Sequence, residues 1–501
     1  MAVGNINATT GFGSFSGLFL SQDSGTTWHQ LSAAPNVNPG GQVPVNLHIA
    51  IDANNANIVY LAGDAYHTCA SNPPTSACTA QAWRVTYNPS NGSSSATSVT
   101  FEGTATQNFN DANTAHSDSR AFAFTPTGAL IMTSDGGIYE RLNPQGAGSW
   151  QGLNGNLSVF EPYAVAFDAN SKRLAVAAQD NGTSLQSAPG SLTFNPINTG
   201  DGTNVAINDR TLSGLSAIYS SAQNLGFLSR LVVNSQGNTI DFATITCNGG
   251  NDCGQTIGAG FLSPFVLNRN DPTRIAMGGK SDVFVTQDLS GVTTAGSIDL
   301  GLADIGNAGG PTTIAYGTRD NTRALLVGGY GGVFLSTTAT MGSLTQLTNY
   351  AGLTPTNVVF DGRTQQRFFV ADSNDLWGVT NGAAGSAAVT FNRLTANLPA
   401  GFIRPTSLEF ISNNGVNALL VGGLDTPISC GSGPNGCVVG SNQSPITVAD
   451  SDTNGNLSNW RAFGQALPNA LVSALSYNPT VDVLSAGLVG RGTWLLYDVT
   501  S

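Results

Sequence analysis

The chain has 501 residues, a formal net charge of −12, only 10% charged residues and 61 glycines. The acidic balance excludes the basic face that nucleic-acid binding needs, and no apolar run approaches the roughly 18 residues of a membrane-spanning helix. Lysine and glutamate are nearly absent (Lys172 and Lys280; Glu102, Glu140, Glu161 and Glu409), while Asp, Asn, Gly, Ser and Thr abound, so the composition predicts an all-β chain with many tight turns.

The first element is the apolar run Gly17–Leu20, followed by Ser21-Gln22-Asp23-Ser24-Gly25-Thr26-Thr27-Trp28. This S-x-D-x-G-x-T-W stretch reads as a hairpin corner. Asp23 accepts hydrogen bonds from its own turn, Gly25 supplies a positive φ, and Trp28 is expected to pack between neighbouring sheets. A two-strand unit then recurs: an apolar strand, a short turn of Asn, Asp, Gly or Pro, and a second apolar strand ending in Gly or Ala. It appears at 46–64, 119–137, 163–182, 265–282, 312–332, 356–375, 406–425 and 472–492, with a poorer copy at 204–233. Repeats of about 40 to 60 residues, each with a third and usually a fourth strand, predict propeller blades. Worn copies of the Asp23 turn follow some third strands: Val283–Asp288 with Gly291 keeps the aspartate, and Val333–Ser336 loses it. Trp150 and Trp460 stand near the start of fourth strands. The expectation is one large propeller of about nine or ten four-stranded blades spanning 1–501, its first and last segments completing one shared blade and so removing sheet edges.

The six cysteines form three close pairs, Cys69/Cys78, Cys247/Cys253 and Cys430/Cys437, each bracketing a loop-like segment. Three local disulfides are expected, which implies an oxidising, secreted or cell-surface setting. In a propeller the loops after second strands and those leading into first strands share one face. The stapled loops fall on that face, opposite the Asp23 turn.

The same face collects the polar candidates. His116, Asp118 and Arg120 open a first strand; Asp64, Asp135, Asp180 and Arg491 follow second strands; Asp201 lies before a first strand. Asp135, Asp180 and Asp201 are the candidate acid/base carboxylates of a glycoside hydrolase. His116, Asp118, Arg120, Asp64 and Arg491 are candidate binding residues. Asp450-Ser451-Asp452-Thr453-Asn454-Gly455 reads D-x-D-x-N-G, so Asp450, Asp452 and Asn454 are candidate calcium ligands, and calcium is the one cofactor suggested; the twelfth position is Arg461 rather than Glu.

The Asp23 turn resembles the Asp box of the sialidase-like and sortilin-like propeller families. The stretches HSDSR (116–120), SDGGIY (134–139), QDNGT (179–183) and GRGTW (490–494) resemble motifs recurring in that order in those propellers. The resemblance implies the fold rather than one substrate. True sialidase activity would need an arginine triad and a Tyr–Glu nucleophile pair. Phe402-Ile403-Arg404-Pro405 has the arginine motif of that family in scrambled order, and no glutamate matches a catalytic motif. The expected function is therefore a monomeric exported propeller that binds a glycan or surface protein through its stapled loops. The alternatives are a glycoside hydrolase and the passenger domain of a larger surface protein such as an autotransporter.

Overall fold

A computed structural model describes residues 1–65, 80–100, 114–382, 387–425 and 444–501. Cys69, Cys78, Cys430 and Cys437 lie outside the described residues. The chain is all-β, built of sheets in which successive strands are antiparallel hydrogen-bonded neighbours except that Ser297–Leu300 pairs in parallel with Thr239–Cys247, and it forms two compact units, Met1–Val159 and Phe160–Ser501. Among the described residues, no helix is long and apolar enough to cross a membrane.

Among the described residues the N-terminal unit holds three sheets. Ala2–Ile6, Gly13–Leu20 and His29–Gln30 form the first; the others are four-stranded and start at His48–Ile51 and Ser119–Phe124. Tyr60, Leu130, Met132 and Trp150 pack together in its core. In the first sheet the Asp23 carboxylate accepts from Ser21 Oγ (2.8 Å), Thr27 N–H (2.8 Å) and Thr27 Oγ1 (2.6 Å), and Gly25 sits at φ +90°. These bonds hold the Asp23 carboxyl down near 2. Trp28 departs from expectation. It is 45% exposed and folds back over its own turn, its indole N–H donating to Gly25 O at 3.1 Å.

The C-terminal unit is a β-propeller in which the described residues form seven consecutive sheets. Their first strands are Pro162–Asp168, Asn204–Asn208, Phe265–Leu267, Pro311–Tyr316, Pro355–Phe360, Phe402–Asn413 and Val472–Asn478. We number the blades 1 to 7 in that order. Each first strand contacts the next, and the seventh contacts the first. Second strands such as Arg173–Ala178 and Val483–Leu488 read as unbroken apolar runs because they are covered on both faces by neighbouring blades.

The small residue that ends the second strands now has a cause. A Cβ on Gly278 would lie 2.9 Å from Pro311, which opens the next blade; one on Gly328 would lie 2.5 Å from Pro355. Glycine is required there because the neighbouring proline ring occupies the side-chain space. Gly487 of blade 7 makes the same contact, at 2.9 Å, with Pro162 of blade 1. Hydroxyls repeat the pattern: Thr312 Oγ1 donates to Pro355 O (2.7 Å) and Thr406 Oγ1 to Val472 O (2.7 Å).

These seams correct the expected ring. Nine or ten blades closed by the chain termini would need the last strand to pair with the first. Instead Gly492–Tyr497 pairs with Val483–Leu488 in a three-stranded blade 7, and Ala2–Ile6 pairs with Gly13–Leu20. Closure is by side-chain packing together with a backbone bond from Gly492 N–H to Phe160 O at 3.1 Å. Val165, Phe167 and Val176 of blade 1 pack with Val483 and Leu495 of blade 7, and Asn478 donates to Phe167 O at 2.9 Å and to Asp209 at 2.6 Å.

Candidate functional site

The seven first strands enclose a channel of about 570 Å³ with hydroxyl-rich and apolar walls. At one mouth lie the turns after second strands and the connections into first strands, which we call the loop face. The turns between first and second strands lie at the other mouth.

On the loop face, blades 1 and 2 build a polar cluster. Tyr163 O–H donates to Gln179 Oε1. The Gln179 amide donates to both Asp180 (2.9 Å) and Asp201 (2.5 Å), and the Asp180 N–H also donates to Asp201 at 3.1 Å. Asp180 can turn its amide this way because it sits at φ 55°. Burial, reinforced by the charges of Asp201, Asp180 and Glu161, pushes the Tyr163 phenol up, so it stays a neutral donor. Asp180 and Asp201 are thus brought together, as the sequence suggested. Two carboxylates that share one amide donor are held as acceptors, with Asp201 tied to the turn of Asp180 rather than aimed across a groove at it.

A rim continues from this cluster. Asp201 N–H donates to Gln223 Oε1 (3.0 Å), and Asn224 N–H to Phe261 O (3.1 Å). The short helix Cys253–Ile257 lies here, capped by Asp252 through the Gln255 N–H and joined to the preceding strand by the Cys247–Cys253 disulfide. This stapled connection leads from blade 2 into blade 3, on the face the sequence assigned. Ile257 O accepts from Lys280 N–H, and the Tyr330 ring covers Gly310 beyond it. Phe227, Phe261 and Tyr330 are 41%, 45% and 76% exposed along this rim. Arg491, in the turn after the second strand of blade 7, shares the face; Gly492 N–H donates to Phe160 O, next to Glu161.

The remaining candidates belong to the N-terminal unit. Asp135 forms a two-pronged ion pair with Arg120, Nε–Oδ1 2.7 Å and Nη2–Oδ2 2.9 Å. Asp118 is buried at φ 58° and accepts from Asn46 at 2.8 Å; burial, with the nearby Asp135 charge, pushes its carboxyl up. His116 lies against Gly136 of the SDGGIY turn. Asp64 was expected as a surface binding residue. It lies within the strand Ile58–Ala65, 1% exposed, and accepts from Gly40 N–H (3.1 Å) and Gln42 N–H (3.3 Å).

The D-x-D-x-N-G stretch, read as a candidate calcium loop, lies in blade 6. It forms the hairpin turn between Ile446–Ser451 and Leu457–Ala462. Asp452 accepts from Asn454 N–H, Asn456 N–H and the Asn456 side chain, each at 2.8 Å. Asp450 turns to Arg461 (2.9 Å) and Asn459 (3.0 Å). The oxygens a cation would use accept N–H donors of the turn and its neighbouring strand, and Asn454 enters through its backbone.

Sequence reasoning missed Tyr163 and Gln179 as parts of the cluster. It also missed Arg269 and Glu409 at the far mouth, where Arg269 Nη1 meets Glu409 Oε1 at 2.9 Å from blade 3 to blade 6. Those two residues are 140 positions apart. No local spacing could link them.

No family model matches the chain, and no curated protein does. Among solved structures it is similar to the β-propeller domain of Cps50 (Swd1) from Myceliophteria thermophila, with 11% identity and a TM-score of 0.42, over 67% of this chain and 97% of that domain.

Proposed function

We propose that the loop face of the C-terminal propeller is a glycan-binding face. The observation that carries this reading is the rim itself: a fixed cluster of neutral donors and carboxylate acceptors (Tyr163, Gln179, Asp180, Asp201) continues into the exposed rings of Phe227, Phe261 and Tyr330. Sugars present an apolar face for such rings and hydroxyls for such acceptors. The Cys247–Cys253 disulfide, which fixes the rim where it turns into blade 3, supports an oxidising, extracellular setting. The bonds gathered on Asp23 support the resemblance to Asp-box turns.

A glycan array followed by titration of the best hit tests the reading, with release of reducing ends assayed in parallel. Phe261→Ala and Tyr330→Ala are expected to weaken binding at least about tenfold, the loss of one well-placed aromatic contact, while the melting temperature stays unchanged. Reducing ends that accumulate with wild type but not with Asp201→Asn would replace binding by hydrolysis. A protein ligand captured through this face, with no glycan bound, would overturn the choice of ligand.

A further inference from the structure

The opposite mouth of the same channel has a different character. Half of the chain's 18 lysines and arginines lie in the turns between first and second strands of blades 1 to 5 or, as Arg173 and Arg274 do, at the first residue of the second strand. Four of them are paired there: Arg269 with Glu409, Arg274 with Asp271, and both Arg363 and Arg367 with Asp361. Among the described residues, Lys172, Arg173, Arg210, Arg319 and Arg323 make no ion pair. The acids beside them are bound to neutral donors instead. Asp209 accepts from Asn478 and Ala169 N–H, and Asp320 from Thr318, Thr364 and Gln365 N–H.

Four of the arginines also form a sequence in space. Arg210 Nη2 donates to Arg269 O (2.6 Å), Arg269 reaches Glu409, Arg319 Nη2 donates to Ser412 O (3.5 Å), and Arg363 lies over the Phe410 ring at 5.6 Å. Those of blades 3, 4 and 5 converge on one segment of blade 6, and Arg210 of blade 2 joins them through Arg269. Arg210 and Arg319 are exposed, and each spends one N–H on a backbone carbonyl out of the five a guanidinium carries. The rest face outward on a rigid arc, in a chain whose net charge is −12.

We propose that this arc binds the oxyanions of an acidic oligosaccharide, carboxylate or sulfate groups spaced along a stiff chain. Guanidinium forks match such groups in pairs of parallel hydrogen bonds. A stiff sugar chain has little freedom to lose on a rigid arc, whereas an acidic peptide would lose about 1–2 kcal/mol of backbone entropy per residue. The site is independent of the loop face, being built from other turns at the other mouth.

The experiment titrates the full chain with a heparin-derived tetrasaccharide, a galacturonate tetramer, inorganic sulfate, a glutamate-rich peptide and a neutral tetrasaccharide, at two salt concentrations. At least one acidic tetrasaccharide is expected to bind, more weakly at the higher salt. Arg210→Ala/Arg319→Ala should weaken it at least about tenfold, from the loss of two charge-assisted contacts. Arg210→Lys/Arg319→Lys, which keeps charge and fold but not the fork, should fall between. Tyr330→Ala, on the loop face, should leave this binding unchanged, so failure of one face is distinguishable from failure of the other. Equal binding by wild type and the double alanine variant, no acidic tetrasaccharide bound, or preference for the peptide would each overturn the proposal.

Discussion

Asp288 is the aspartate of the blade 3 turn whose sequence resembles the Asp23 turn, and it provides the sharpest test of how the blades are joined. Its carboxylate turns inward. Oδ2 accepts from Arg230 Nη1 (2.9 Å) and Tyr219 O–H (2.8 Å), and Oδ1 from Ser290 N–H (3.0 Å). Arg230 and Asp288 are 2% and 1% exposed, and Arg230 holds Asp241 as well at 3.1 Å. Burial alone would push the Asp288 carboxyl up; the bonds from Ser290 and Tyr219 and the Arg230 charge hold it below its ordinary value. Asp288→Ala removes one of two anions from a guanidinium sealed between blades 2 and 3. Breaking a buried pair on one side costs about 3–5 kcal/mol; with Asp241 retained, the lower end of that range is expected. At roughly 3 kcal/mol/M in urea for a unit of this size, the midpoint of its unfolding should fall by about 1 M. Asp288→Asn, which keeps the shape and one acceptor, should cost less. The depressed carboxyl also sets a sign: its contribution is present above the ordinary carboxylate range and is lost as pH falls through the lower folded value. Acid titration of stability should therefore be flatter in Asp288→Asn. A loss below about 1 kcal/mol in Asp288→Ala would refute the view that this ion cluster is a closed, desolvated joint.

Two further outcomes follow from other parts of the chain. His48 packs edge-on against Phe122 with neither ring nitrogen hydrogen-bonded among the described residues, and burial, aided by the Arg120 charge, lowers it to about 4. The unfolded chain takes up the proton first as pH falls below 6.5, so the N-terminal unit should lose up to about 3 kcal/mol between pH 6.5 and 4. His48→Phe should remove that dependence in hydrogen-exchange protection of Ser119–Phe124; an unchanged profile would contradict it. Replacing Cys247 and Cys253 by serine opens a very short loop, with an expected cost of about 2 kcal/mol, read as a lower melting temperature; glycan binding at Phe261 should weaken with it.

The hairpins were legible because each depends on local patterning. Eight of the repeats are the first and second strands of sheets, and the poorer copy at 204–233 takes in the third strand Ser229–Asn234 as well. The polar cluster was half legible: Asp180 and Asp201 lie near each other in sequence, but Gln179 and Tyr163 carry no motif of their own. Partition of the sheets was not legible. Blades meet largely through side chains, and Pro162 against Gly487 resembles Pro355 against Gly328 in the ring-to-glycine contact. Only the fold shows that one of these contacts spans the ring. Asp288 was recognised as a turn residue, yet its partner Arg230 lies 58 residues earlier in an adjoining blade.

The seam between blades 1 and 7 has a consequence in time. Asn478 and Phe167, which meet across it, are 311 residues apart. At synthesis rates of 5–20 residues per second, blade 1 waits roughly 15 to 60 s for its neighbour. Until then Val165, Phe167 and Val176 have no blade 7 to cover them. The last blade made is thus the one that ends an interval of stickiness, and mutations that slow its arrival should show up as lost yield before they show up as lost stability.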